Sequence, residues 1–283
     1  MPPRRRSLAA ALVIIAGLLA TACSASSASH DAPGGQVVTA AGAENQYANV
    51  IGQIGGKYVQ VTAIESNPNT DPHTFEASPG VAQAVSAAQL VVQNLLGLPD
   101  STPNPHLWYS PATMPAVARA VARDLSAMQP AHAAYFAANL RRFDASLQPW
   151  YQAIARFKAD HPGAPVAVTE PVGDYLLQAA GMRILTPFNF QADIMNGVDP
   201  SPQDVSLEDS LFSDHRVKVF VYNQQVTDSL TQSLLSLAHK EGIPVVGVYE
   251  TMPTPGYDYQ SWMLAGTRAL QQAVTDKIST EKL

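Results

Sequence analysis

The chain of 283 residues contains one cysteine, Cys23, and only 14% of its residues are charged. With a single thiol, an intrachain disulfide and a cysteine-rich metal site are both excluded, so any metal must be held by nitrogen and oxygen. Basic residues are also scarce, at 17 Lys and Arg against 23 Asp and Glu. This acidic balance argues against nucleic acid as a partner.

Long apolar runs are absent apart from one, residues 8–20, which follows Arg4, Arg5 and Arg6. The run is shorter than the roughly 20 residues that cross a bilayer, and small residues precede Cys23, as in a bacterial export signal. We therefore expect a lipoprotein signal peptide over 1–22, lipidation of Cys23 and a flexible tether over 23–35. The protein would be exported and lipid-anchored at the outer face of the bacterial cytoplasmic membrane, with a mature net charge of about −9.

Two short segments repeat one pattern: an Asp or Asn, a proline, a histidine, a spacer and an aromatic residue. They are residues 71–75 and 104–108. Proline fixes its own φ and holds the preceding residue extended, so each imidazole lies on a stiffened loop. The repeated pattern predicts a metal site with His73 and His106 among its ligands.

Short apolar segments alternate with segments of helix length. A continuous helical pattern over 114–161, interrupted by Pro130 and Pro149, separates the two halves of the chain. This organisation predicts an α/β protein with parallel sheets. The predicted strands are residues 37–40, 59–64, 90–93, 166–169, 183–186, 217–221 and 245–249.

Two glutamates, Glu170 and Glu250, come directly after predicted strands of the second half. Open parallel sheets bind ligands at the carboxyl ends of their strands, so these carboxylates are candidate ligands. If the first half presents His73 and His106, four ligands converge on one ion in a cleft between two lobes. Two neutral imidazoles and two carboxylates balance a divalent charge, and this donor set suits zinc, manganese or ferrous iron.

The chain resembles the zinc/manganese solute-binding lipoproteins of ATP-driven metal importers. The resemblance rests on residues 71–79, 104–111, 169–176 and 243–250, and it extends over nearly all of the chain after the leader. It implies two parallel-sheet lobes joined by a long helix, with His73, His106, Glu170 and Glu250 as the metal ligands. It also implies that Zn²⁺ or Mn²⁺ is the transported solute, that an ABC permease is the partner, and that the protein is not an enzyme.

The chain departs from this family in two respects. Many zinc-specific members carry a His-rich, acidic loop between the first two motifs and a histidine where this chain has Glu170. This chain lacks both the loop and the histidine, which moves the expected metal preference toward manganese, although the donor set is also compatible with zinc. Relatives also carry a further helix and strand between the positions of Gln93 and His106, so we expect a shortened first lobe of reduced stability.

The expected organisation is an N-terminal lobe over 36–127, a linking helix over 128–163 and a C-terminal lobe over 164–283.

Two other functions stay open. An exported zinc-dependent hydrolase would use His73, His106 and Glu170 as ligands and Glu250 as general base, but four protein ligands would leave no open position for water. The second alternative is a metal-binding surface adhesin.

Overall fold

Two β-sheets organise the described part of the chain. The computed structural model describes residues 37–93 and 104–283, so the predicted signal peptide, the tether and Cys23 lie outside the described residues. The strands are β1 (Val38–Glu44), β2 (Val59–Glu65), β3 (Leu90–Val92), β4 (Pro165–Val168), β5 (Arg183–Ile184), β6 (Val219–Asn223) and β7 (Val245–Val248). These described residues belong to one compact unit.

Ten helices are present among the described residues, and none of these combines the length and apolarity needed to cross a membrane. They are α1 (Asn45–Gly55), α2 (Pro79–Ala87), α3 (Thr113–Met128), α4 (Ala133–Ser146), α5 (Gln148–Asp160), α6 (Asp174–Ala179), α7 (Phe188–Met195), α8 (Pro202–Ser213), α9 (Ser229–Lys240) and α10 (Tyr259–Asp276).

The strands pair in parallel throughout both sheets. The first sheet has the order β2-β1-β3 and the second the order β5-β4-β6-β7. The predicted α/β class with two parallel sheets is therefore confirmed. Because parallel strands share one direction, the residues that follow β4, β6 and β7 meet at the same edge of the second sheet.

The second sheet is buried on both faces, as expected for a parallel sheet covered by helices. Alternate side chains enter different clusters: Val166 and Val168 lie in one, and Ala167 and Phe220 in the other. The first of these clusters also contains residues of β1 and of helices α1, α3, α5 and α10. One apolar core thus supports both sheets and holds their strand ends in a fixed relation.

The segment predicted to be continuously helical is divided into α3, α4 and α5. Pro130 begins a 3₁₀ turn after α3, and Pro149 lies in the first turn of α5, after Leu147. Proline lacks the backbone N–H that a helix interior needs, so it starts a helix more readily than it continues one. The break that Pro149 predicts is present, because α4 and α5 are separated at Leu147 within the segment 128–163. The linking role of this segment and the lobe boundaries stay predictions.

Helix α2 begins as the sequence pattern indicates but buries none of its residues. Ser78 accepts a hydrogen bond from the backbone N–H of Val81, and Pro79 follows as the first helical residue. Residues 94–103, where the shortening of the first lobe is expected, lie outside the described residues. The shortening and its cost in stability stay predictions.

One buried carboxylate lies away from the strand ends. Glu208 on α8 is fully buried, its Oε1 accepts a hydrogen bond of 3.0 Å from the Thr186 hydroxyl, and its Oε2 has no hydrogen-bond partner among the described residues. Burial raises the pKa of Glu208 to about 8, with the charge of Asp209 adding to the effect. The folded state therefore keeps a proton on this carboxyl at neutral pH.

We expect Glu208→Gln to reduce the pH dependence of stability. The ordinary pKa of glutamate is 4.5, and below this pH the buried carboxyl of the wild type does not reduce the free energy of unfolding. As the pH rises from 4.5 toward 8, the free energy of unfolding falls, because the unfolded chain loses this proton and the folded chain keeps it. The loss is at most about 1.4 kcal/mol per pH unit. Urea unfolding between pH 5 and 8 measures it, with Glu241→Gln at a partly exposed site as the control. Equal slopes in the wild type and Glu208→Gln would contradict the assignment.

Candidate metal centre

The two histidine loops are held by the same local contact. The backbone N–H of His73 donates to Asp71 Oδ1 at 2.8 Å, and that of His106 donates to Asn104 Oδ1 at 3.0 Å. In both cases the first residue of the repeated motif caps the histidine two positions later. The motif is thus a compact turn that presents an imidazole.

The two candidate carboxylates occupy the ends of strands in the second sheet. Glu170 follows β4 and is 1% exposed, and Glu250 follows β7 and is 3% exposed. Carboxylates are almost never buried to this extent without a partner. Their burial indicates that both interact with specific groups at this edge of the sheet.

Three of the four predicted residues come together directly. Glu250 Oε2 lies 3.1 Å from His73 Nε2 and 3.2 Å from His106 Nε2. One ligand atom from each of these three residues lies within 4.8 Å of the others. The side chain of His106 is 1% exposed and that of His73 is 33% exposed, so His73 is on the solvent side of the group.

Glu170 is not part of this group of three but is connected to it by Asn223. The Asn223 side-chain amide donates to Glu170 Oε1 at 3.1 Å and to Glu250 Oε1 at 2.8 Å. Glu170 Oε2 is buried and has no hydrogen-bond partner among the described residues. An oxygen of this kind is suited to accept a cation.

Asn223 was not predicted from the sequence as a site residue. It is the last residue of β6, the strand between β4 and β7. The strand-end rule that identified Glu170 and Glu250 also applies to this third strand, and the predicted strand over 217–221 ended two residues too early to include it.

The hydrogen bonds of Asn104 assign the tautomer of His106. Asn104 Nδ2 donates to the backbone oxygen of Pro171 at 2.7 Å, so Asn104 Oδ1 must be an acceptor. His106 Nδ1 lies 2.9 Å from this oxygen and therefore carries the proton. The lone pair of a neutral His106 then lies on Nε2, where it is available to a metal ion, whereas a hydrogen bond from Nε2 to Glu250 Oε2 requires a proton on Nε2 as well.

A second amide, that of Gln225, joins the end of β7 to the loop of His73. Its Oε1 accepts hydrogen bonds from the backbone N–H groups of Glu250, at 2.6 Å, and Thr251, at 2.9 Å. Its Nε2 donates to the backbone oxygen of Thr70 at 2.7 Å. The positions of Glu250 and the His73 loop are thereby coupled.

The pKa values of the group reflect strong interactions. The hydrogen bond to Glu250 raises the pKa of His73 to about 9, against the opposing effect of burial. Burial raises the pKa of Glu250, but hydrogen bonds and charges of His106 and His73 outweigh it and lower this pKa to about 2. Burial and the Glu250 charge raise the pKa of Glu170 to about 8. At neutral pH, protons thus neutralise part of the acidic charge.

Two cavities flank the group. One, of about 410 Å³, is lined by His73, His106 and Glu250 together with Glu44 and Glu65, which pair in register on β1 and β2. Burial and the charge of Glu65 raise the pKa of Glu44 to about 7. The other cavity, of about 790 Å³, opens beside His73. The group is therefore accessible from two sides and surrounded by acidic residues.

Comparisons with known proteins agree with this architecture. A family model described as the periplasmic component A of a zinc-uptake complex matches residues 42–103 and 99–273. A search of curated proteins found no match.

Solved structures share the fold at low sequence identity. A crystal structure of ZnuA is 20% identical, with a TM-score of 0.69, and the match covers 85% of this chain and 100% of that one. The periplasmic zinc binding protein TroA from Treponema pallidum is 14% identical, with a TM-score of 0.69 and coverage of 86% and 100%. The solute-binding protein FpvC from P. aeruginosa, solved with Ni²⁺, is 17% identical, with a TM-score of 0.67 and coverage of 88% and 100%.

We expect Glu250→Gln to lower the pKa of His73 in the metal-free protein. In the wild type, the imidazole should titrate near pH 9, and loss of the carboxylate should return the midpoint toward the ordinary value of 6.5. NMR titration of the histidine ring protons measures the shift. Glu281→Gln is the control, because Glu281 pairs with His239 at 2.9 Å. An unchanged His73 midpoint in Glu250→Gln would contradict the pairing.

Proposed function

The chain belongs to the family of periplasmic zinc-uptake component A proteins, and from this we propose that it captures a divalent metal ion outside the cytoplasm for delivery to an ABC importer. The observation that carries the proposal is the approach of His73, His106 and Glu250 to within 4.8 Å of one another at the strand ends. A permease in the membrane is the partner to which the ion passes.

The proposed ligands are His73, His106, Glu170 and Glu250. The imidazoles contribute no charge when neutral and the carboxylates contribute two negative charges, so a divalent ion makes the site neutral. The unpartnered Glu170 Oε2 supports the inclusion of Glu170, because this buried oxygen has no competing hydrogen bond and can bind a cation once the carboxyl has lost its proton. Nitrogen and oxygen donors of this kind bind Zn²⁺ and Mn²⁺.

Ion capture replaces protons by metal. In the metal-free protein, Glu250 Oε2 is paired with the two imidazole Nε2 atoms at 3.1 and 3.2 Å. A metal ion that takes the place between these atoms needs both Nε2 lone pairs, so the protons that join His73 and His106 to Glu250 must leave when the ion binds. The same three groups thus stabilise the empty and the loaded site.

A binding role is favoured over hydrolysis. The hydrolase alternative needs Glu250 to act as a general base on a metal-bound water, which places the carboxylate outside the ligand shell. Its contact with both imidazoles supports a place among the ligands instead. We therefore propose that the protein is not an enzyme.

Attachment to the membrane is proposed through acyl chains on Cys23, with residues 23–35 as the tether. The family is periplasmic, and a tether of this length lets the metal-binding part move beside the permease.

The proposal predicts one bound ion per chain and the loss of binding in ligand variants. We expect His73→Ala and Glu170→Gln each to weaken Zn²⁺ or Mn²⁺ binding by about 100-fold or more, since loss of a ligand exceeds loss of an outer-shell partner. Calorimetry and metal analysis of the purified protein measure this. His239→Ala and Glu208→Gln are matched controls outside the site. Folded wild-type protein that binds no divalent ion would contradict the proposal.

We also expect Asn104→Ala to weaken binding, by about 10- to 100-fold, because His106 loses the acceptor that holds its ring and its tautomer. The same calorimetric titration measures this effect. Affinity equal to that of the wild type would show that Asn104 does not orient His106.

A further inference from the structure

Asn223 lies between the two proposed carboxylate ligands. It ends β6, and the sheet order places β4, which leads to Glu170, on one side and β7, which leads to Glu250, on the other. Its side chain is fully buried. This position between the two strands allows the Asn223 side-chain amide to contact both carboxylates. No other described strand end is flanked by two carboxylates in this way.

The orientation of the Asn223 amide is determined by its contacts. The side-chain nitrogen donates to Glu170 Oε1 at 3.1 Å and to Glu250 Oε1 at 2.8 Å, which uses both of its N–H groups. The side-chain oxygen accepts from the backbone N–H of Gln225 at 3.0 Å. The backbone N–H of Asn223 donates to the Thr169 hydroxyl at 3.0 Å. A reversed amide would place an oxygen against two carboxylates.

These hydrogen bonds divide the oxygen atoms of each carboxylate into two kinds. The Oε1 atoms of Glu170 and Glu250 face the amide, whereas Glu250 Oε2 faces the two imidazoles and Glu170 Oε2 has no hydrogen-bond partner among the described residues. Each carboxylate therefore has one oxygen left for an ion. For either to bind through both oxygens, Oε1 would have to reach the ion on its second lone pair without moving from the amide, or turn and leave a buried amide N–H unpaired.

Two single oxygens and two imidazole nitrogens make four ligands. Zn²⁺ accepts four nitrogen and oxygen ligands in tetrahedral geometry, whereas Mn²⁺ favours six-coordinate sites rich in oxygen. A pair of glutamates can supply additional oxygens to Mn²⁺ only by binding through both atoms of the carboxylate. The amide of Asn223 opposes this change.

We propose that Asn223 is a positioning residue that determines metal selectivity by limiting Glu170 and Glu250 to one ligand oxygen each, so that the site favours four-coordinate Zn²⁺ over Mn²⁺. This inference rests on the proposed function of the site. It also reverses the preference for manganese that the glutamate at position 170 suggests from the sequence.

The test compares the wild type with Asn223→Ala, which removes both donors. Competition titrations with Zn²⁺ and Mn²⁺ give the ratio of the two affinities, and we expect the variant to shift this ratio toward Mn²⁺ by tenfold or more. Co²⁺ serves as a spectroscopic probe of coordination number. We expect intense visible absorption, typical of four ligands, in the wild type and a weaker spectrum in the variant.

Thr169→Val is the matched control, because it removes the acceptor of the Asn223 backbone N–H but leaves the side-chain amide in place. We expect this control to keep the wild-type affinity ratio and Co²⁺ spectrum. If Asn223→Ala weakens both metals equally and leaves the spectrum unchanged, the residue is merely structural and the inference is overturned.

The wild-type protein alone supplies a further test if Asn223→Ala does not fold. Tight Zn²⁺ binding with a four-coordinate Co²⁺ spectrum supports the inference. Tight Mn²⁺ binding with a six-coordinate spectrum overturns it while the proposed function stands. Folded wild-type protein that binds none of the three ions overturns both.

Discussion

The burial of Glu250 between two imidazoles is the constraint on which the candidate site depends. A carboxylate at 3% exposure is stable only with close positive or hydrogen-bonding partners, and His73 and His106 provide them from the two proline-stiffened loops. Since the loops and Glu250 come from opposite halves of the chain, this pairing holds the halves together. A cation in the same position would satisfy the same atoms.

Neutral amides hold the remaining polar atoms of the site. Asn104 fixes the ring of His106, Asn223 holds one oxygen of each carboxylate, and Gln225 connects the end of β7 to the His73 loop. Because amides orient ligands without adding charge, the net charge of the site depends only on the ligands, their bound protons and the ion. The same amides determine which atoms stay available for coordination.

Much of this arrangement was predictable from local sequence patterns. Apolar alternation located each strand to within a few residues, and the strand-end rule identified Glu170 and Glu250. The bridging role of Asn223 was not predictable, because it depends on the order β4-β6-β7, which chain order alone does not specify. The division of the long helix followed from Pro130 and Pro149, but whether a proline kinks a helix or ends it depends on tertiary packing.

The central claim is that one ion binds between these four side chains. Anomalous diffraction from crystals of the protein loaded with Zn²⁺ tests it most directly, because the signal locates the ion without reference to the protein coordinates. The account predicts a single peak bonded to the Nε2 atoms of His73 and His106 and to the Oε2 atoms of Glu170 and Glu250, at about 2.0 to 2.2 Å. A peak elsewhere, or one bonded to only some of these residues, would contradict it.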